Sequence, residues 1–143
     1  MVIAALIAAQ VAAAQPSTPP AALPAQLGEL PPQELPAGQC ALFLWDRASG
    51  KRMAMMTANP AILRLVIDGR STDLPREAAE GTAVMGFAPI TRYRSANRSY
   101  DVRLTILPAS TGGAVVRDGS LAITESDGTS MVLPVAGLAG CPQ

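Results

Sequence analysis

The chain contains no histidine. That absence excludes Ser-His-Asp and Cys-His nucleophile pairs and any zinc or copper site built on imidazole. Cysteine is almost as scarce, with Cys40 and Cys141 only. If the two are bonded to each other, neither remains as a nucleophile. Lysine occurs once, as Lys51 behind Ser49-Gly50. There it reads as a solvated turn residue, unsuited to a Ser-Lys dyad. Aromatic residues are five: Phe43, Trp45, Phe87, Tyr93 and Tyr100. A core must therefore come chiefly from Leu, Ile, Val and Met.

Charge of one sign is also lacking. Eleven basic residues balance eleven acidic ones. Residues 1–37 hold two acids and no base, so the remainder carries a net charge of +2. That balance gives no basis for a nucleic-acid partner. The acids Asp68, Asp73, Glu77 and Glu80 flank expected turns. A carboxylate pair for hydrolysis needs one desolvated member, and these should all be hydrated. Asp127-Gly128-Thr129 lacks the D-x-D-x-D-G spacing of a calcium loop and reads as a hairpin turn. Met53, Met55 and Met56 could offer thioethers to a soft metal. Strand spacing instead sends Met53 and Met55 together toward the core. No cofactor and no metal is expected, nor an enzyme of any common hydrolytic design.

Three segments follow in order. Residues 1–14 contain the apolar run Val2–Ala14, too short for a spanning helix of roughly 20 residues. The run suits the core of a secretory signal, and Ala12-Ala13-Ala14 fits a cleavage site. No Lys or Arg precedes it. Cleavage would leave no transmembrane span and place the protein in the periplasm or outside the cell. Residues 15–37 hold seven of the thirteen prolines and read as a disordered, polyproline-like linker. Residues 38–143 read as the folded domain.

From Cys40 onward the apolar period is that of strands. Cys40–Trp45 is apolar on both faces and suits a strand covered on both sides. Leu63, Leu65 and Ile67 alternate with polar residues, and Asp68-Gly69 is a hairpin signal. Pro75–Gly81 reads as a single helical turn, and 82–91 as a strand bent at Gly86 and Pro89. Tyr100, Val102, Leu104 and Ile106 alternate with Asp101, Arg103 and Thr105. A meander ends the chain, with turns at Asp118-Gly119 and Asp127-Gly128. The expected class is all-β, a small antiparallel barrel or sandwich of about eight short strands. A Cys40–Cys141 disulfide would clip its ends. Closing a loop of roughly 100 residues, it would add ~4–5 kcal/mol on the chain-entropy model. Two distant thiols bonded in this way also point to an oxidising compartment.

The candidate ligand-binding surface is the hairpin carrying Arg92, Tyr93, Arg94, Arg98, Tyr100 and Arg103. Arginine interleaved with tyrosine can grip phosphate, carboxylate or sugar. The same pattern also serves to keep an edge strand soluble. In outline, a small exported β-domain with cysteines near both ends is similar to the periplasmic lysozyme-inhibitor barrels. Their Ser-Gly-x-x-Tyr-like inhibitory stretch has no match here, so no inhibitory residue carries over. The expected function is a non-enzymatic periplasmic or envelope domain that binds another protein or an anionic envelope polymer. The rival is an inhibitor of an exogenous enzyme, with Ala109–Gly113 as its best projecting loop. A hydrolase with a carboxylate site is the third reading.

Overall fold

A computed structural model describes residues 26–35 and 37–142. The expected signal segment 1–14 and the linker as far as residue 25 lie outside the described residues. Nine strands form one sheet: β1 (Leu27–Gly28), β2 (Ala41–Asp46), β3 (Arg52–Ala58), β4 (Ala61–Ile67), β5 (Arg70–Glu80), β6 (Ile90–Arg94), β7 (Arg98–Pro108), β8 (Ala114–Glu125) and β9 (Ser130–Gly140). From β2 to β9 each strand pairs antiparallel with the next, and β9 pairs back onto β2. The chain is thus a closed eight-stranded up-and-down barrel with one added strand. Closure removes the free edges that would otherwise template pairing between chains.

Closure falls between the two ends of the domain, where Ala41 faces Gly140. The Cys40–Cys141 disulfide joins the chain just outside that pair. Alternate residues of every strand fill the interior, among them Leu42, Leu44, Met56, Leu63, Leu65, Val102, Leu121 and Ile123. An eight-stranded barrel is about wide enough for side chains to fill. One mouth is plugged by a tight turn at Met85-Gly86, which brings Val84 opposite Phe87. Phe87 is buried against the core.

Five local expectations are corrected. Pro75–Gly81 is no helical turn: Arg70–Glu80 is one long strand, and Ile62↔Pro75 is its last pairing with β4. Beyond that proline β5 pairs with β6 alone, through a bulge between Arg76 and Ala78. Cross-strand hydrogen bonds override the weak helical preference of the Glu-Ala-Ala-Glu run. Residues 82–89 are not a strand either, and regular pairing resumes only at Ile90. Asp118-Gly119 is a bulge inside the twelve-residue β8, not a turn. Gly119 is required there by close approach: a Cβ would lie 2.8 Å from Leu104 Cδ2 and 2.9 Å from the Arg103 carbonyl.

The fourth correction concerns the linker, whose second half is part of the fold. β3 pairs with β4 only as far as Ala54↔Leu65, and Leu27–Gly28 takes the next places, opposite Ile67 and Val66. From there the chain crosses the outside of the barrel as a strap. Leu30 is fully buried, packed with Ala41 and Met55 and flanked by Phe43 and Val66. Its backbone is satisfied at both ends, since Leu30 N–H donates to the Arg52 carbonyl and its own carbonyl accepts from Arg52 Nε. This placement is also the fifth correction. Met55 is buried beneath the strap rather than inside the barrel, and Met56 is the one that points in. It explains in turn why Cys40–Trp45 is apolar on both faces.

Candidate functional site

Strand alternation divides the expected arginine–tyrosine surface in two. Tyr93 and Tyr100 are register partners, and both are buried in the barrel. Burial pushes the Tyr93 hydroxyl above its ordinary pKa. Neither ring is available to a ligand outside, so the interleaving of Arg with Tyr does not make a mixed surface. Arg92 and Arg94 do share the outer face of β6, as expected. Each is matched by a carboxylate from a neighbouring strand. Arg92 Nε lies 2.7 Å from Asp101 Oδ1, and Arg94 Nε lies 3.0 Å from Glu77 Oε1. The Asp101 carboxylate beside it holds the Arg92 guanidinium above its usual range.

Arg98 follows the parity of Tyr100 rather than that of Arg92, so it leans over the barrel mouth opposite the plug. Its Nε donates to both Glu125 oxygens, at 2.8 and 2.9 Å, and its Nη1 to Asp68 at 3.0 Å. The Arg98 and Glu125 side chains are only 15% and 11% exposed, so this pair is a lid on the barrel rather than a surface contact. Hydrogen bonding to Glu125 raises the pKa of the arginine still further. Asp68 also accepts from the Gln26 N–H, the first cause of its lowered pKa, with Arg98 the second. The cluster therefore ties the β4–β5, β6–β7 and β8–β9 hairpins to the start of the strap. Of the four arginines, Arg103 alone has no ion pair among the described residues. It lines a hollow of about 150 Å³ with Arg92, Asp101 and Glu80.

The outer wall on the other side of the barrel is different. Register places Leu107 beside Val115, Val115 beside Leu138, and Leu138 beside Phe43. Trp45 lies beside Ala136 in the next row. Leu107, Val115 and Leu138 are 42%, 37% and 54% exposed, values high enough to make this an open apolar row rather than a covered one. β9 carries no charged residue from Ser130 to Gly140. Phe43 sits at the border, with the Leu30 cluster on one side and Trp45 on the other, ring centroids 6.2 Å apart. The Arg52 guanidinium lies 5.8 Å over the Phe43 ring. At the far end the Arg47–Asp118 ion pair runs from the end of β2 to the β8 bulge, and Arg47 N–H donates to the Pro134 carbonyl of the strand between. Composition could not reveal this row, because its residues come from four strands and meet only through register.

The loop of the inhibitor reading is a tight hairpin turn. Ala109 N–H donates to Gly113 and Gly112 N–H to Ala109. Among the described residues no group of three His, Cys, Asp or Glu side chains is placed to hold a metal ion. No described helix is long and apolar enough to cross a membrane. Compared with known proteins, the chain matches no family model, no curated protein and no solved structure.

Proposed function

We propose that this chain is an exported, non-enzymatic binding domain of the periplasm or cell envelope, and that it engages a partner protein through the outer wall of β7, β8, β9 and β2. The observation that carries this reading is the row of exposed Leu107, Val115 and Leu138 ending at the half-buried Phe43. Contiguous exposed apolar surface marks interaction sites. The interior supports the same reading, since Tyr93, Tyr100 and their neighbours fill it and leave the outside as the place to bind. Export is supported by the disulfide, which persists in an oxidising compartment. An anionic polymer on the arginine hairpin has less support, because Arg92, Arg94 and Arg98 are matched by carboxylates.

A photo-crosslinking residue placed at position 138, in cells expressing the full chain, tests the wall. Position 92 serves as the control. The expected result is a discrete crosslinked band from position 138 in the periplasmic or envelope fraction and none from position 92. A band from position 92 alone, or a chain found wholly in the cytoplasm, overturns the reading.

A further inference from the structure

The chemistry of this wall restricts what can lie on it. The backbone groups of β8, β9 and β2 at the apolar row are committed to their neighbours in the sheet. Strand addition is therefore impossible, and a docked segment receives almost no main-chain hydrogen bonds. An ordinary extended peptide would lose water from N–H groups and gain nothing for them. A proline-rich segment avoids much of that loss. Proline has no N–H, and the polyproline II backbone keeps its remaining polar groups turned to solvent.

The wall also offers aromatic rings, which such segments recognise. Phe43 and Trp45 stand two residues apart on the outer face of β2, with the rings tilted 47° to each other. Leu138 and Ala136 lie beside them on β9. Among the described residues the Trp45 indole N–H has no hydrogen-bond partner, which leaves a donor for a proline-segment carbonyl.

Size agrees. Four strands at ~4.8 Å spacing make the row about 14 Å wide. A patch of that width falls well short of the ~800 Å² per partner of a stable protein–protein interface. It matches a polyproline II stretch of four or five residues, at ~3.1 Å per residue. The adjoining part of the same wall already seats an extended segment: Leu30 of the strap is buried outside β2 and β3, with its N–H and carbonyl both bonded to Arg52, and Phe43 belongs to both its seat and the open row.

We propose that the open row from Phe43 and Trp45 to Leu138 and Val115 docks a proline-rich, uncharged extended segment of a partner protein. This rests on the binding-wall reading above and narrows it to one partner chemistry.

The test uses the oxidised full domain and a synthetic peptide of repeating Pro-Leu-Pro. Trp45 fluorescence and calorimetry report binding. The peptide should shift the fluorescence, and Leu138→Glu should weaken binding at least ~10-fold, equivalent to ~1.4 kcal/mol. Trp45→Phe should weaken it less, because a ring remains while the indole donor is lost. Arg92→Ala should leave it unchanged, and an Ala-Leu-Ala peptide of equal length should not bind. Unchanged far-ultraviolet circular dichroism shows that Leu138→Glu still folds. The proposal is overturned if neither peptide binds, if both bind equally, or if a peptide of residues 15–25 of this chain binds far more tightly than Pro-Leu-Pro. It is also overturned if the protein is a dimer in sedimentation that Leu138→Glu dissolves, or if the wall partitions onto phosphatidylcholine vesicles. A crosslink from position 138 that persists while the peptides fail would remove the proline chemistry and leave the binding wall standing.

Discussion

The two outer walls of the barrel are built from the same alternation and end in opposite states. Across β4 to β7 the outward positions carry charge, and the charge pairs off between strands: Arg64 with Asp73, Arg92 with Asp101, Arg94 with Glu77. Those strands are joined by consecutive hairpins. Across β9, β2 and β3, joined by Val115 of β8, the outward positions are chiefly apolar, part is covered by the strap, and this wall contains the one pairing that brings the chain's ends together. A surface whose charges are already matched has little left with which to recognise an ion. The wall with less polarity has more unspent contact area and also the harder joint to close.

Removing the closure should have the largest effect. Changing Cys40 and Cys141 to Ser releases a constraint across 101 residues, and urea unfolding should report a loss of about 4–5 kcal/mol. A loss below ~1 kcal/mol would mean that β2–β9 pairing holds the seam without the staple.

The strap comes next. Leu30→Ala empties a fully buried seat and should cost about 2–4 kcal/mol. Limited proteolysis should then cut between residues 26 and 35 while the barrel remains whole. Equal protection of the strap in both proteins would separate it from the apolar wall's stability.

Acid should loosen the same strap from its other end. The Gln26 N–H and Arg98 hold the folded Asp68 carboxyl below the ordinary carboxylate range. Its stabilisation is therefore complete above the unfolded value of ~3.9 and is lost as pH falls through the lower folded value. Hydrogen exchange at Gln26 should accelerate in that window, with β2–β9 amides unchanged, and Asp68→Asn should abolish the pH dependence.

The smallest effect belongs to the charged wall. Arg92→Ala breaks a pair in which the arginine side chain is half exposed and should leave the urea midpoint almost unmoved, because exposed pairs are screened by solvent. A larger loss would show that the charged wall is structural in a way its exposure does not suggest.

How much of this was legible depended on whether a feature is local. Asp68-Gly69 and Asp127-Gly128 turn the chain as their dipeptides suggest, while Asp118-Gly119 does not. What separates them is the length of the neighbouring strand: β7 runs from Arg98 to Pro108 and pairs with β8 on both sides of the bulge. No window around Gly119 contains that information. The all-β class, barrel or sandwich, and the cysteine pairing follow from period and from there being only two thiols, whereas closure into a barrel is visible only in the β2–β9 pairing. Tyr93 lies between Arg92 and Arg94, but adjacency in sequence is opposition in a strand, and Tyr100 is buried with it as its register partner. Leu30 was missed because the prolines around it read as linker, and its seat is assembled from β2, β3 and β4. The open row was missed for the same reason.

The disulfide also decides where a mechanical load would travel. It joins Cys40 to Cys141 beyond the two ends of the barrel. Tension applied between Gln26 and the C-terminal end therefore passes through the strap, into Cys40, across the sulfurs and out at Cys141. The covalent path bypasses the eight barrel strands, which take load only through the strap's contacts to β3, β4 and Asp68. The strap takes the full force through Leu27–Gly28, Leu30 and the Asp68 contact to Gln26. Under an upstream pull the strap would peel from its seat while the barrel stayed folded, and the wall beneath it would be uncovered by force alone.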